Sequence, residues 1–140
     1  MGDSCRVKNE DVLILNAGHS TEVVGQKVGI VPKQLEGAFF VAELTMVRAL
    51  YNTSEPYFLF GCLMLPESRQ RIKSLVKGGH LYAESLRSLP IPLPPLPEQR
   101  EIARILRTVD QRIEAEEASV RALETLFKTL LHELMTAKRR

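Results

Sequence analysis

The stretch "LPIPLPPLPEQREIARIL", residues 89–106, changes character in its middle. Pro90, Pro92, Pro94, Pro95 and Pro97 crowd its first part, and no proline follows anywhere in the chain. Proline fixes φ and has no N–H to donate, so such a run cannot enter a sheet or helix interior and reads as an extended, polyproline-like linker over 89–97. It bridges two segments with strong patterns of their own, which makes a rigid strut the better reading than a flexible PxxP ligand tail. From Glu98 the pattern is helical. Ile102, Leu106, Val109, Ile113, Glu116, Val120, Leu123, Phe127, Leu130 and Leu134 follow one another at alternating spacings of four and three, a heptad seam whose one polar member is Glu116 at a d position. The spacing predicts one helix over 98–136, a rod of roughly 58 Å at 1.5 Å per residue. A globule made from residues 1–96 is much smaller than that, so the seam requires another helix, and a dimer is expected. Residues 137–140 form a basic tail.

Working outward toward the N-terminus, "DVLILN" (11–16) and "EVVGQKVGIV" (22–31) are aliphatic runs separated by "AGHS", which reads as strand, turn, strand. Gly25 and Gly29 within the second run predict a bulge or bend. Strand-like composition continues through 38–50. In "SEPYFLFGCLML", Ser54 as N-cap and Pro56 in the first turn predict a buried helix. In "PESRQRIKSLVKGG", Pro66 opens a second helix, Ile72, Leu75 and Val76 form its apolar stripe, and Gly78 closes it. The expected fold is therefore α+β: a small strand-rich globule with short helices (1–96, closing in the linker 89–97), joined by the proline strut to one long C-terminal coiled-coil helix.

The whole chain is 140 residues, 44% hydrophobic and 26% charged, which suits a soluble folded protein rather than a disordered one. No apolar run is long enough for a membrane span and no secretory leader is legible, so no membrane partner and a cytoplasmic location are expected. Cys5 and Cys62 stand far apart without Cys or His at ligand spacing and read as reduced thiols. His19, His80 and His132 share no ligand spacing, the acids form no metal set, and neither a phosphate loop nor a nucleophile motif occurs. An enzyme, a metal site and a cofactor are not expected. The net charge of +2 does not announce a nucleic-acid binder, but its distribution is informative. Arg69, Arg71, Lys73, Lys77 and Arg87 stand against the single acid Glu84. Within this basic stretch Lys73, Lys77, Gly78, Gly79, His80 and Tyr82 are the candidate DNA-contacting residues: glycines between a lysine and a histidine let backbone pass close to phosphates. A helix C-cap with a solvated surface turn is the bland alternative for each of them singly.

A strand-rich start, a "KGGH" loop, the linker and the long seam helix together resemble the specificity subunits of type I restriction-modification systems. Pro92, Leu93, Pro94, Pro95, Leu96, Glu98, Gln99, Ile102 and Ala103 match that family's Pro-Leu-Pro-Pro-Leu-x-Glu-Gln stretch and the Ile-Ala start of its helix. The resemblance implies a noncatalytic DNA-recognition and assembly subunit. Such a subunit reads half of a bipartite double-stranded target, with the helix as spacer and dimerisation element. It also implies methyltransferase (modification) and restriction subunits as partners, with the S-adenosylmethionine and ATP chemistry belonging to them. The chain departs from the family in showing one recognition domain and one helix, without internal repeat, and in a short globule. Two such chains paired antiparallel would mimic one full-length subunit. The flanking charges lean toward parallel packing, since an antiparallel pair sets Glu117 near its own copy and Asp110 near Glu124 while a parallel pair brings Arg112 toward Glu117 of the other chain; crowding of two globules at one end and the family resemblance lean toward antiparallel, which is the expected arrangement. The alternative function is a truncated interaction protein that pairs with a full-length specificity subunit without touching DNA.

Overall fold

The computed structural model describes residues 6–137; Cys5 and the tail beyond Ala137 lie outside the described residues. The chain divides after Leu106 into two compact units. The first is a mixed α+β unit built on a three-stranded antiparallel sheet. Its strands β1 (Val12–Leu15), β2 (Val28–Ile30) and β3 (Leu44–Val47) lie in the order β2-β1-β3. Val12 sits opposite both Ile30 and Val47, and Ile14 opposite Val28 and Thr45. In β1 the period of two decides which side is core: Val12 and Ile14 are fully buried, while Leu13 and Leu15 are only partly so.

Two of the expected strands are shorter than their composition suggests. Of residues 22–31 only Val28–Ile30 forms a strand, because the chain turns through 21–26. Gly25 holds that turn at φ +71°, and a Cβ there would lie 2.6 Å from Ile72 Cγ2, so both backbone and space demand glycine. The expected bend at Gly25 is present, whereas Gly29 stays in register opposite Leu13. Likewise 38–50 contributes only Leu44–Val47. Phe39 lies outside that strand, bridged to Arg6, whose guanidinium stands 4.3 Å over its ring. Apolar composition without a neighbour to pair does not make a strand.

Helix α1 (Pro56–Met64) is capped by Glu55 rather than Ser54. The Glu55 carboxylate accepts from Phe58 N at 2.7 Å, while Ser54 Oγ accepts from Leu50 N in the preceding turn. The apolar run of α1 is explained by burial on two sides. Leu59 and Leu63 join Val12, Ile14, Val24, Ile72 and Leu81 in the main core, and Phe58 and Cys62 meet Ala103 in a second cluster. Helix α2 (Pro66–Leu75) turns Ile72 inward, and α3 (Ala83–Leu86) is a single turn. A polar tie closes the sheet side: the buried Asp11 carboxylate accepts from Arg48 Nε and Nη2, both at 2.7 Å, and from Lys8 N at 2.6 Å.

The proline segment carries neither helix nor strand over 89–95 and does not stand free of the globule. Leu89 and Ile91 pack on the main core. Helix α4 runs from Leu96 to Ala137 and so starts two residues before the expected Glu98; Pro97 falls in its first turn, where a missing N–H costs nothing. Gln99 and Ala103 are its buried residues. Ile102 packs on the Phe58, Cys62 and Ala103 cluster, so this first seam residue is committed inside the chain. In the second unit the remaining seam is exposed in the single chain: Val109, Ile113, Val120, Leu123, Phe127, Leu130 and Leu134 are between 48% and 66% accessible. Glu116 accepts from Arg112 of its own helix at 2.9 Å.

Candidate nucleic-acid interface

Five of the six candidate residues come together in one structural feature, a tight hairpin that follows α2. Lys77 N donates to His80 O at 2.9 Å and His80 N to Lys77 O at 3.0 Å, closing a two-residue turn on Gly78 and Gly79. Both glycines have positive φ, +57° and +78°, the signature of a type I′ turn that other residues adopt at a cost. Lys77, Gly78 and His80 are exposed, as is Tyr82 at 55% accessibility, and the His80 and Tyr82 rings face each other at 6.2 Å. Lys73 sits in the last turn of α2, where a cation also complements the helix dipole.

The hairpin is strapped to the sheet. His80 bridges Ala17, and Leu81 N donates to Asn16 O at 2.8 Å while the Leu81 side chain enters the core. A Cβ at Gly79 would lie 3.4 Å from Thr21 Cγ2, so the hairpin runs alongside the 18–21 turn. The exposed residues His19, Ser20 and Thr21 therefore belong to the same surface. Sequence reasoning missed them because a separation of some sixty positions carries no local signal; the one clue was "AGHS" between two strands.

The structure also divides the basic stretch. Arg69 is an internal tie: its Nη2 donates to Gln26 O at 2.9 Å and Gln26 Nε2 donates to Arg69 O at 3.1 Å, joining α2 to the 21–26 turn, while Arg69 Nε is buried with no acceptor among the described residues. Arg87 pairs with Glu84 at 3.1 Å. Arg71, Lys73 and Lys77 are exposed and form no ion pair among the described residues. No cluster of three or more His, Cys, Asp or Glu able to hold a metal occurs among the described residues, and no helix there is long and apolar enough to cross a membrane.

A small α+β unit thus carries a basic, glycine-turned surface, and the chain continues into a long helix whose apolar seam is exposed. Residues 2–125 match the family model described as the type I restriction modification DNA specificity domain, and the chain belongs to that family. It is 28% identical, over 93% of its length, to a putative type I restriction enzyme MjaX specificity subunit of Methanocaldococcus jannaschii. It is 29% identical, again over 93%, to the MjaVIII specificity subunit of the same organism. It spans about a third of those relatives, 33% and 29% of their lengths. The fold is similar to that of an HsdS subunit from Thermoanaerobacter tengcongensis, with a TM-score of 0.60 and 23% identity over 81% of this chain and 30% of that one.

Proposed function

We propose that this chain is a noncatalytic DNA-recognition and assembly module of a cytoplasmic type I restriction-modification complex, working with modification and restriction subunits. In this proposal the globule reads one half of a bipartite duplex target. The Lys77–His80 hairpin carries the reading: it gathers backbone made for close approach, two exposed rings, and Lys73 and Lys77, which form no ion pair among the described residues. Arg71, Lys73 and Lys77 would contact phosphates, and His80 and Tyr82 would reach sugars or base edges. Helix α4 would act as spacer and pair antiparallel with a second copy through Val109, Ile113, Val120, Leu123, Phe127, Leu130 and Leu134. Two observations refine the seam. Ile102 is committed within its own chain, and Arg112 is engaged by its own Glu116, which removes it from the charges that favoured parallel packing. The exposed seam equally favours the alternative, an interaction protein that pairs through α4 without reading DNA.

A gel-shift titration against random-sequence duplex over a range of salt concentrations tests the proposal and separates the two readings. The native chain should bind with a salt-dependent affinity, and Lys73→Glu with Lys77→Glu should lower the slope of log K against log salt by roughly 2, near 0.9 per lost phosphate contact. A native chain that shifts no duplex supports the interaction protein. A double variant with an unchanged slope removes this hairpin from the interface.

A further inference from the structure

Gln99 is among the most buried polar side chains of the described residues, at 1% accessibility, and both donors and the oxygen of its carboxamide are engaged, by three separate segments. Its Nε2 donates to Pro94 O at 2.8 Å and to Thr53 O at 3.1 Å, and its Oε1 accepts from Glu55 N at 3.0 Å. Pro94 belongs to the proline segment, Thr53 to the turn before α1, and Glu55 is the α1 cap whose carboxylate holds Phe58 N. One side chain in the first turn of α4 thus joins the strut to the start of α1. The apolar contacts continue along the same face, four residues on at Ala103, fully buried against Phe58 and Cys62.

The chemistry of the tie explains why an amide stands where an apolar residue would bury more easily. Apolar contacts are non-directional and tolerate sliding. An amide with two donors and an acceptor is satisfied only when three partners sit at fixed places, and a buried amide left unsatisfied is costly. Pinned at Leu89 and Ile91 by the core and at Pro94 by Gln99, with φ locked at its prolines, the segment 89–95 has little freedom left.

We infer that Gln99 is a positioning residue: by tying Pro94, Thr53 and Glu55 it fixes the first turn of α4 on the globule, and so sets the spacing at which a pair of chains engages two half-sites. The last step rests on the proposed reading of DNA. The test compares the native chain with Gln99→Met, which keeps volume and loses all three bonds. Gln99→Glu, whose carboxylate faces the Pro94 and Thr53 carbonyls without donors, serves should the first variant fail to fold by circular dichroism. Two measurements are made. In chains lacking Cys5 and Cys62 and diluted with unlabelled copies, spin labels at the exposed positions 36 of the globule and 105 of α4 report a distance distribution. Separately, selection from a random duplex library reports the gap between recovered half-sites. The native chain should give a narrow distribution and one gap. The variants should broaden the distribution and lose preference for that gap on the order of tenfold, since a loosened joint spreads the effective concentration of the second half-site. A distance distribution unchanged in a folded variant overturns the tie. A broadened distribution with an unchanged gap overturns its role in spacing. Recovery of no paired half-sites by the native chain, with broadening in the variants, overturns the DNA reading and the spacing role with it while leaving the tie standing.

Discussion

For the proposed pairing of two chains through α4, replacing Leu123 and Leu130 together by Asp should convert dimer to monomer while leaving the globule folded. The magnitude follows from the exposure of α4. Leu123 is 65% and Leu130 48% accessible in the single chain, so pairing can still remove half to two-thirds of each side chain from water. Full burial of a leucine is worth roughly 1.5 to 3 kcal/mol, which gives about 1 to 1.5 kcal/mol per residue and about 4 to 6 kcal/mol over the four positions of a pair. Four carboxylates brought into the seam without partners add roughly 1 kcal/mol or more each. At 1.4 kcal/mol per factor of ten, the dissociation constant should rise by more than about 10⁴-fold. Both positions are exposed in the single chain, and the cost of Asp in an exposed helix is below about 1 kcal/mol. Sedimentation velocity at micromolar protein should therefore show the native chain as dimer and the variant as monomer, with the Thr125→Asp control, outside the seam, unchanged. A double variant that sediments as the native dimer would refute the seam as the interface and move association to the globule.

Other substitutions test the globule. Asp11→Asn should cost about 2 to 3 kcal/mol at neutral pH, since hydrogen bonds to a charged group are worth about that much and Arg48 keeps partial access to water. The sign of its pH dependence is set by the Asp11 carboxyl: burial pushes its pKa up, but the Arg48 hydrogen bonds, the Lys8 N–H and the nearby positive charges outweigh this and hold it below the ordinary 3.8. The stabilisation is thus complete above the ordinary carboxylate range and is lost as pH falls through the lowered value, so urea midpoints of native and variant should converge in acid and stay separate at pH 7. Gly25→Ala combines a left-handed φ with a Cβ 2.6 Å from Ile72 Cγ2 and should destabilise by roughly 2 to 4 kcal/mol in the same assay. A near-neutral result would show that the 21–26 turn is not anchored on α2.

What was legible in the sequence followed from short-range rules. The α4 seam has a period, the α2 stripe of Ile72 and Leu75 has a period although Val76, read with it, falls just past the helix end, and the proline run excludes regular structure by covalent geometry. Strand limits were not legible, because pairing depends on a neighbour: β2 shrinks to three residues once Gly25 diverts the chain into the core. Ile102 illustrates a subtler limit. Its spacing assigns it to the seam, yet the first turns of α4 meet α1 of the same chain, and the heptad alone does not distinguish the two neighbours. The candidate surface was half legible: "KGG" marks a turn locally, whereas the approach of Thr21 to Gly79 and the capture of Arg69 by Gln26 depend on tertiary packing. Glu55 in place of Ser54 as cap belongs to the same class, since Ser54 had a competing partner in Leu50 N.

The polar ties share a property that follows from the size of the globule. Its main core is built from seven buried side chains, too few to specify by shape alone how the turns and the strut lie on it. Each tie supplies what that core lacks, by joining segments far apart in sequence. Asp11 with Arg48 fixes the end of β3 to β1, Gln26 with Arg69 fixes the 21–26 turn to α2, and Gln99 fixes the proline strut to the start of α1. All three also bind backbone carbonyls, those of Arg6, of Gln26 and Arg69, and of Pro94 and Thr53, so they satisfy polar groups and select one arrangement at once. Directional bonds of this kind are a more effective way than added apolar bulk to hold the 21–26 turn and the strut in place. A larger apolar surface around the Lys77–His80 turn would have to be covered, and covering it would hide the residues proposed to meet DNA.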